Sequence, residues 1–333
     1  MTSSAQEPVN GVFVTDPGYA LGEIKAHVTE SAAAGRLHSA PDDLASAGFA
    51  WHYVSAPGST AYDLARSAVR ALPAEALSGG VDAVIHATCL PCNGNVGSSQ
   101  AWRATRDVTH LMDYPGSRLQ ADFALDRAIV IGLSQQGCTS MLGAIRLGAA
   151  LLASEPQWAK VLCVTADRFP AEARYEHSYN LVSDSAAACV VTRQQAGFRL
   201  LTAHQITNGG LHGATDDETV GTYFSYVRLL VTQTLDRAGV DIGDIAWIVP
   251  QNTNQKAWQI LSRMLGVEFG QVWQPSLPDH GHAISADNLI NLAALADSGQ
   301  LRAGQRILLV VAGYGLNWQA MLLEATGATG ATA

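Results

Sequence analysis

Charge is scarce in this chain. Asp, Glu, Lys and Arg make up 15% of its 333 residues, and the formal net charge is −9. Nucleic-acid binding needs clustered Lys and Arg to meet phosphates, so this balance excludes it. Aromatic residues are few, at 7%. No apolar run free of polar groups reaches the roughly 18 residues of a membrane span. The opening MTSSAQEPVN also lacks the basic-then-apolar order of a secretory leader. The expectation is a cytoplasmic protein with no membrane association, whose five cysteines stay reduced. Two of them form a CxxC, Cys89-Leu90-Pro91-Cys92. A zinc site needs a second such pair or a spaced pair of His, and neither exists, so no metal or redox role is expected. No long Pro/Ser linker occurs, and no low-complexity segment precedes the Gly327-Ala328-Thr329-Gly330 tail, which is expected to be disordered.

What is present is apolar. The hydrophobic fraction is 48%, enriched in Ala and Gly, a composition suited to helices packed closely on a sheet. A chain of this length exceeds one typical domain and can bury a sizeable core. Its most informative stretch is Ile129 to Ala153. The β-branched Ile129-Val130-Ile131 predicts a buried strand. Gly132 and Ser134-Gln135-Gln136-Gly137 make a turn, and apolar residues then recur at helical spacing from Met141 to Leu152. Cys138 stands at the junction. A helix N-terminus lowers a thiol's pKa, which suits a nucleophile. A small buried hydrophobe is the other reading of a single cysteine.

Along the chain, Val12-Phe13-Val14 reads as a strand, and the segment up to about Ser55 as irregular with one or two short helices. Thr60 opens a helix over 61–72, Val81 to Thr88 is a strand, and a helix lies near Leu119 to Leu125. Strands follow at Val161 to Thr165, Ala186 to Val191 and Leu200 to Ile206. A helix over Tyr223 to Ala238 precedes the strand Ile245 to Pro250 and the helix Lys256 to Leu265. A helix over Ala286 to Ala296 and strands over Arg306 to Ala312 and Trp318 to Leu323 close the chain. Strand and helix thus alternate in two rounds. Two similar α/β halves packed together are expected, 1–195 and 196–333.

Four marks in order carry a family resemblance. They are the turn around Cys138, the Ser183-Asp184-Ser185-Ala186-Ala187 strand entry, Val249-Pro250-Gln251-Asn252-Thr253-Asn254, and the close from Arg302-Ala303-Gly304-Gln305 to Gly313-Tyr314-Gly315-Leu316-Asn317-Trp318. From Thr60 to Glu324 the chain resembles the thiolase-fold condensing enzymes, most closely the β-ketoacyl-ACP synthase III branch. The resemblance implies an α/β thiolase-like fold of five layers, α-β-α-β-α. One half then carries the Cys nucleophile and the other the His/Asp pair and the Gly-Tyr-Gly turn. It also implies a homodimer that takes acyl thioesters of CoA or acyl carrier protein as substrates, with no cofactor.

Two positions depart from the family pattern. Cys138 matches the nucleophile and Asn254 the Asn of the Pro-His-Gln-Ala-Asn motif, but Gln251 stands where its His belongs. Gly281 of the Gly-Asn-Thr motif is kept, while His282 replaces its Asn. Gln251 can donate an N–H but cannot titrate near neutral pH, so decarboxylative condensation is disfavoured. What remains is a thiol and an imidazole, and Cys catalysis needs a base oriented by a third group. If Ser285 caps the next helix, Asp287 lies in its first turn and can reach back to His282. Serving that helix N-terminus alone is the other role open to Asp287. Cys138, His282 and Asp287 then form an acyl-transfer triad, which is similar to that of same-fold acyltransferases from polyketide and aminoglycoside-type antibiotic pathways. Backbone N–H groups of Cys138 and of Tyr314, between Gly313 and Gly315, would form the oxyanion hole. His212 is a candidate pocket residue, Asn254 a brace, His280 a solvated turn residue, and His86 a satisfied core histidine. The expected reaction moves an acyl group through Cys138 to a small hydroxyl or amine acceptor. The alternative is a priming synthase that condenses a starter with malonyl-ACP.

Overall fold

A computed structural model describes residues 11–327. The opening ten residues and Ala328 to Gly330 of the tail, about which sequence expectations were stated, lie outside the described residues. In chain order come β1 (Val12–Val14), β2 (Gly18–Leu21), β3 (Ile24–His27), α1 (Val28–Ala33), α2 (Pro41–Ser46), β4 (Trp51–Val54) and α3 (Ala61–Arg70). Next are β5 (Ala83–Ala87), α4 (Ser99–Thr105), α5 (Pro115–Asp122), β6 (Ile129–Leu133), α6 (Ser140–Ser154) and β7 (Lys160–Asp167). Then follow β8 (Glu176–His177), β9 (Asn180–Leu181), β10 (Ser185–Thr192), β11 (Phe198–Thr207) and α7 (Asp216–Ala238). Last are β12 (Ile245–Pro250), α8 (Gln255–Leu265), α9 (Leu277–His280), α10 (Asp287–Asp297), β13 (Arg306–Gly313) and β14 (Asn317–Ala325).

Side-chain alternation along the strands builds the layers, because successive residues of a strand face opposite sides. In β7, Val161 and Cys163 pack with Met141, Leu142 and Ile145 of α6, while Leu162, Val164 and Ala166 pack with α3 and α5. β10 repeats the pattern, with Ala187, Cys189 and Val191 on one side and Ala186, Ala188 and Val190 on the other. In the second half, Ile307, Leu309 and Val311 of β13 join Leu289, Leu292 and Leu295 of α10 in that same central core. Leu308 and Val310 instead meet Val227 and Leu230 of α7 and Trp258 of α8. Helices α6 and α10 therefore lie between two half-sheets, and α3/α5 and α7/α8 cover the outer faces. This is the α-β-α-β-α thiolase-like arrangement. The strand order is β12-β13-β14-β11-β1-β10-β7-β5-β6, with β2 added to β10.

Several local readings need correction. Three strands, β2 to β4, accompany the two short helices of the first 55 residues. They are four residues each and are made by pairing, β2 on β10 and β3 on β4, so no amphipathic pattern announces them. β6 is an edge strand rather than a buried one. It pairs with β5, and Ile129 and Val130 remain 49% and 37% exposed. Helix α7 begins seven residues before Tyr223, where Thr215 and Glu218 form a capping box. The 18-residue stretch Gly137–Ser154 is apolar enough to cross a membrane by length and composition, but most of it is buried in the central layer.

Candidate active site

Parallel β5, β6 and β7 end side by side, with Ala87 opposite both Leu133 and Thr165. In such sheets, sites form beyond the carboxyl ends of the strands. Here the loops after β5 and β6 and the last residue of β7 bring Cys89, Cys138 and Asp167 together. Cys138 lies in the 3₁₀ turn Gly137–Thr139 that leads into α6. Gly137 has φ +54°, and a Cβ there would fall 2.6 Å from the Tyr314 carbonyl oxygen; one on Gly313 would fall 2.7 Å from the Cys138 nitrogen. The Gly313-Tyr314-Gly315 turn thus lies against the backbone of Cys138, in contact that side chains would prevent.

His282 approaches from the other half. Its N–H donates to the Leu181 carbonyl at 2.7 Å, and its own carbonyl accepts from the Ser183 N–H at 2.9 Å. The hydroxyls of Ser183 and Ser185 donate to the carbonyls of His280 and Ala283. The Ser-Asp-Ser strand entry is therefore the clamp on the histidine loop. Gly281 turns this loop at φ +61°, ψ −156°, a region open to glycine alone. The His282 Nε2 lies 3.6 Å from the Cys138 Sγ. On its far side, Nδ1 donates to Asp287 Oδ2 at 2.5 Å. Asp287 also accepts from the N–H groups of Ala283 (2.7 Å) and Asn252 (2.8 Å). Both His282 and Asp287 are buried. A carboxylate can only accept, so Nδ1 carries the proton and Nε2 faces the thiol.

Burial opposes protonation of His282, but the charge and hydrogen bond of Asp287, with Cys138 adding to them, raise its pKa to about 10. The Cys138 thiol is held well below its usual range. A hydrogen bond from the Cys89 thiol contributes most, burial opposes it, and His282 adds further. Both shifts favour a thiolate–imidazolium pair over a neutral thiol and imidazole. Cys89 itself is pushed upward, chiefly by that same hydrogen bond, so it stays a thiol and donates.

Gln251 is also buried. Its Oε1 accepts the Ala312 N–H, which leaves its amide nitrogen as the group it can offer a ligand. Asn254 accepts the Lys256 N–H at 3.0 Å and so caps α8. A cavity of about 320 Å³ is lined by Cys138, His282, Gln251, Asn254, Tyr314 and His177, among others. Three expectations fail here. His212 is exposed and does not line the cavity, because the early start of α7 presents Thr219, Val220 and Tyr223 instead. His280 is half-buried between Tyr19 and Tyr53. His86 is buried, yet its Nε2 has no hydrogen-bond partner among the described residues, and burial lowers its pKa to about 4.

Ser285 does not cap α10. That role falls to Ala286, which has no side-chain cap bond. The Ser285 hydroxyl instead meets Ser140 Oγ at 2.8 Å and the Gly137 carbonyl at 3.4 Å, tying the His/Asp segment to the nucleophile turn. Sequence reasoning also missed Cys89, whose Sγ is 3.9 Å from that of Cys138. The parallel β5–β6 pairing was the signal that could have found it. It missed His177 as well, which lies on the tight β8–β9 hairpin and meets Tyr314 edge to face at 5.6 Å.

Family profiles match segments in both halves of the chain. The 3-oxoacyl-[acyl-carrier-protein] synthase III family profile matches residues 134–209, and the C-terminal profile of the same family matches 235–325. These ranges hold Cys138 and the His282/Asp287 pair. β-Ketoacyl-[acyl-carrier-protein] synthase III of Chlamydia caviae is 26% identical over 221 residues, 56% of this chain and 64% of that protein. The solved β-ketoacyl-[acyl-carrier-protein] synthase III of Thermus thermophilus superposes with a TM-score of 0.78 at 22% identity, over 96% of this chain and all of that one. The acyltransferase ChlB3 superposes with a TM-score of 0.77 at 20% identity, over 96% and 99%.

Proposed function

The chain belongs to the β-ketoacyl-ACP synthase III family of thiolase-fold transferases, and from that premise we propose that it transfers an acyl group from a CoA or carrier-protein thioester to a small hydroxyl or amine acceptor. The observation that carries this reading is the line Cys138–His282–Asp287, with spacings of 3.6 and 2.5 Å. The Cys138 thiolate attacks the thioester carbonyl. Charge develops on its oxygen beside the backbone N–H groups of Cys138 and Tyr314, the proposed oxyanion hole. The imidazolium of His282 gives its proton to the departing thiolate, which leaves an acyl-enzyme and a neutral imidazole. With the cysteine charge gone, that imidazole takes the acceptor's proton as the acceptor attacks the acyl carbonyl. Asp287 keeps Nε2 aimed at the reaction throughout.

The acyltransferase branch of polyketide and antibiotic biosynthesis is part of this reading. So is a homodimer, supported by the open edge of β6 with its exposed Ile129 and Val130. The names of the relatives favour a second reading, condensation of a starter with malonyl-ACP. Against it stands Gln251, which offers only its amide nitrogen, its Oε1 being engaged by the Ala312 N–H, and which cannot change its charge. A His282→Ala variant given an acyl thioester is expected to carry acyl mass on Cys138 and to discharge it about 10²- to 10⁴-fold more slowly than wild type. Absence of any adduct on Cys138, in wild type and variant alike, removes the covalent scheme.

A further inference from the structure

Two thiols face each other at the site, and the acyl-transfer scheme uses only one. We propose that Cys89 and Cys138 form a site of reversible oxidative modification, in which a hydroperoxide oxidises Cys138 and Cys89 closes a disulfide with it. Their sulfurs are 3.9 Å apart, so the bond length of about 2.05 Å needs an approach of roughly 1.9 Å. The backbone of Cys89 is held for this. Asp167 is buried at the end of β7 and accepts the N–H groups of Cys89 (2.9 Å) and Leu90 (2.8 Å) and the side-chain amide of Asn93 (3.2 Å). Cys138 lines the cavity, which admits a small peroxide, and His282 beside it keeps the sulfur anionic, the form that reacts.

Two of the remaining cysteines do not compete. Cys163 and Cys189 pair in register across β7 and β10 and are wholly buried, and burial raises both thiols. Cys92 is exposed, in the 3₁₀ turn Pro91–Gly94.

The chemistry balances in two steps. The Cys138 thiolate attacks one peroxide oxygen and the O–O bond breaks. With one proton taken up, this gives a sulfenic acid and releases water, or an alcohol from an organic peroxide. Cys89 sulfur then attacks the sulfenic sulfur. The S–O bond breaks, and the thiol proton leaves with hydroxide as water. In sum, two thiols lose two electrons and two protons to one peroxide. A dithiol reductant returns them by exchange. While the disulfide stands, Cys138 cannot be acylated and cannot be driven on to sulfinic acid.

The test is peptide mapping under non-reducing conditions of the full chain exposed to hydrogen peroxide. It reads the bond itself, so its outcome is independent of whether the acyl-transfer reading holds. Expected is a cross-link between the peptides carrying Cys89 and Cys138, with two hydrogens lost and with reversal by dithiothreitol. A Cys92→Ser variant should give the same link. A Cys89→Ser variant should accumulate about tenfold more sulfinic acid on Cys138 at matched exposure, unaffected by dithiothreitol. Sulfinic acid on Cys138 of the wild type with no cross-link overturns the proposal, as does a Cys89–Cys92 bond in place of it. Wild-type mapping decides the matter even if Cys89→Ser fails to fold.

Discussion

Replacing Asp287 with Asn keeps the shape of the side chain and removes its charge. The carboxylate accepts three N–H groups, from His282, Ala283 and Asn252. An amide has one accepting oxygen, so at least one buried donor then faces an N–H₂ group, at a stability cost of about 1–3 kcal/mol. The chemical effect is larger. The rise of the His282 pKa from 6.5 to about 10 corresponds to about 5 kcal/mol at 1.36 kcal/mol per unit. Burial works against that rise, Asp287 contributes more to it than Cys138 does, and losing the Asp287 charge therefore removes on the order of half of it or more, near 10²-fold. The sign is set by the pair. With Asp287 neutral, burial leaves the imidazole uncharged, and the thiolate loses its counter-ion. The assay is the rate of iodoacetamide alkylation of Cys138, read by mass across pH, with circular dichroism to verify folding. Wild-type Cys138 should alkylate readily at about pH 6, well below the ordinary thiol range. The variant should be roughly 10²-fold slower there and should recover as the pH climbs toward that range. A folded Asp287→Asn protein with the wild-type profile refutes the ion-pair account.

Three further perturbations test other parts of the site. Gly281→Ala forces a methyl group to within 2.7 Å of the Leu181 carbonyl, at φ +61°. It should cost about 1–3 kcal/mol in denaturant unfolding and should slow acyl discharge by displacing His282. Cys89→Ala removes the thiol that donates to Cys138, so the alkylation profile of Cys138 should move to higher pH, and an unmoved profile denies Cys89 that role. Ser285→Ala breaks the tie to Ser140 and Gly137 and should lower stability by about 1 kcal/mol, with a smaller effect on alkylation than Asp287→Asn.

The layered fold and the site were legible in the sequence to different depths. Strands such as β7, β10 and β13 are apolar on both faces because helices cover both sides, and that gives a continuous hydrophobic run that can be read directly. Cys138 announced itself by a strand, a glycine turn and a helical pattern in immediate succession. His282 and Asp287 are five residues apart, and one short loop folds them together. Cys89 and Cys138 are 49 residues apart, and only the parallel pairing of β5 with β6 joins them. His177 was illegible for a different reason. β8 and β9 have two residues each, and Ser178 and Tyr179 between them take positive φ, a turn that glycine or asparagine would have signalled. Ser285 was assigned the wrong partner because its residue type suits a helix cap, whereas the approach of Ser140 from the other half of the molecule gave it a different bond.

The central claim concerns what attacks the acyl-enzyme, and a single-turnover partition tests it most directly. Enzyme acylated on Cys138 is freed of excess thioester and divided between malonyl thioester and a panel of hydroxyl and amine acceptors. Intact mass and released carbon dioxide are followed together. The account predicts loss of the acyl mass to a hydroxyl or amine acceptor as ester or amide, with no carbon dioxide from malonyl thioester. Carbon dioxide released in step with loss of the acyl group, and a β-keto thioester as the product, would contradict it.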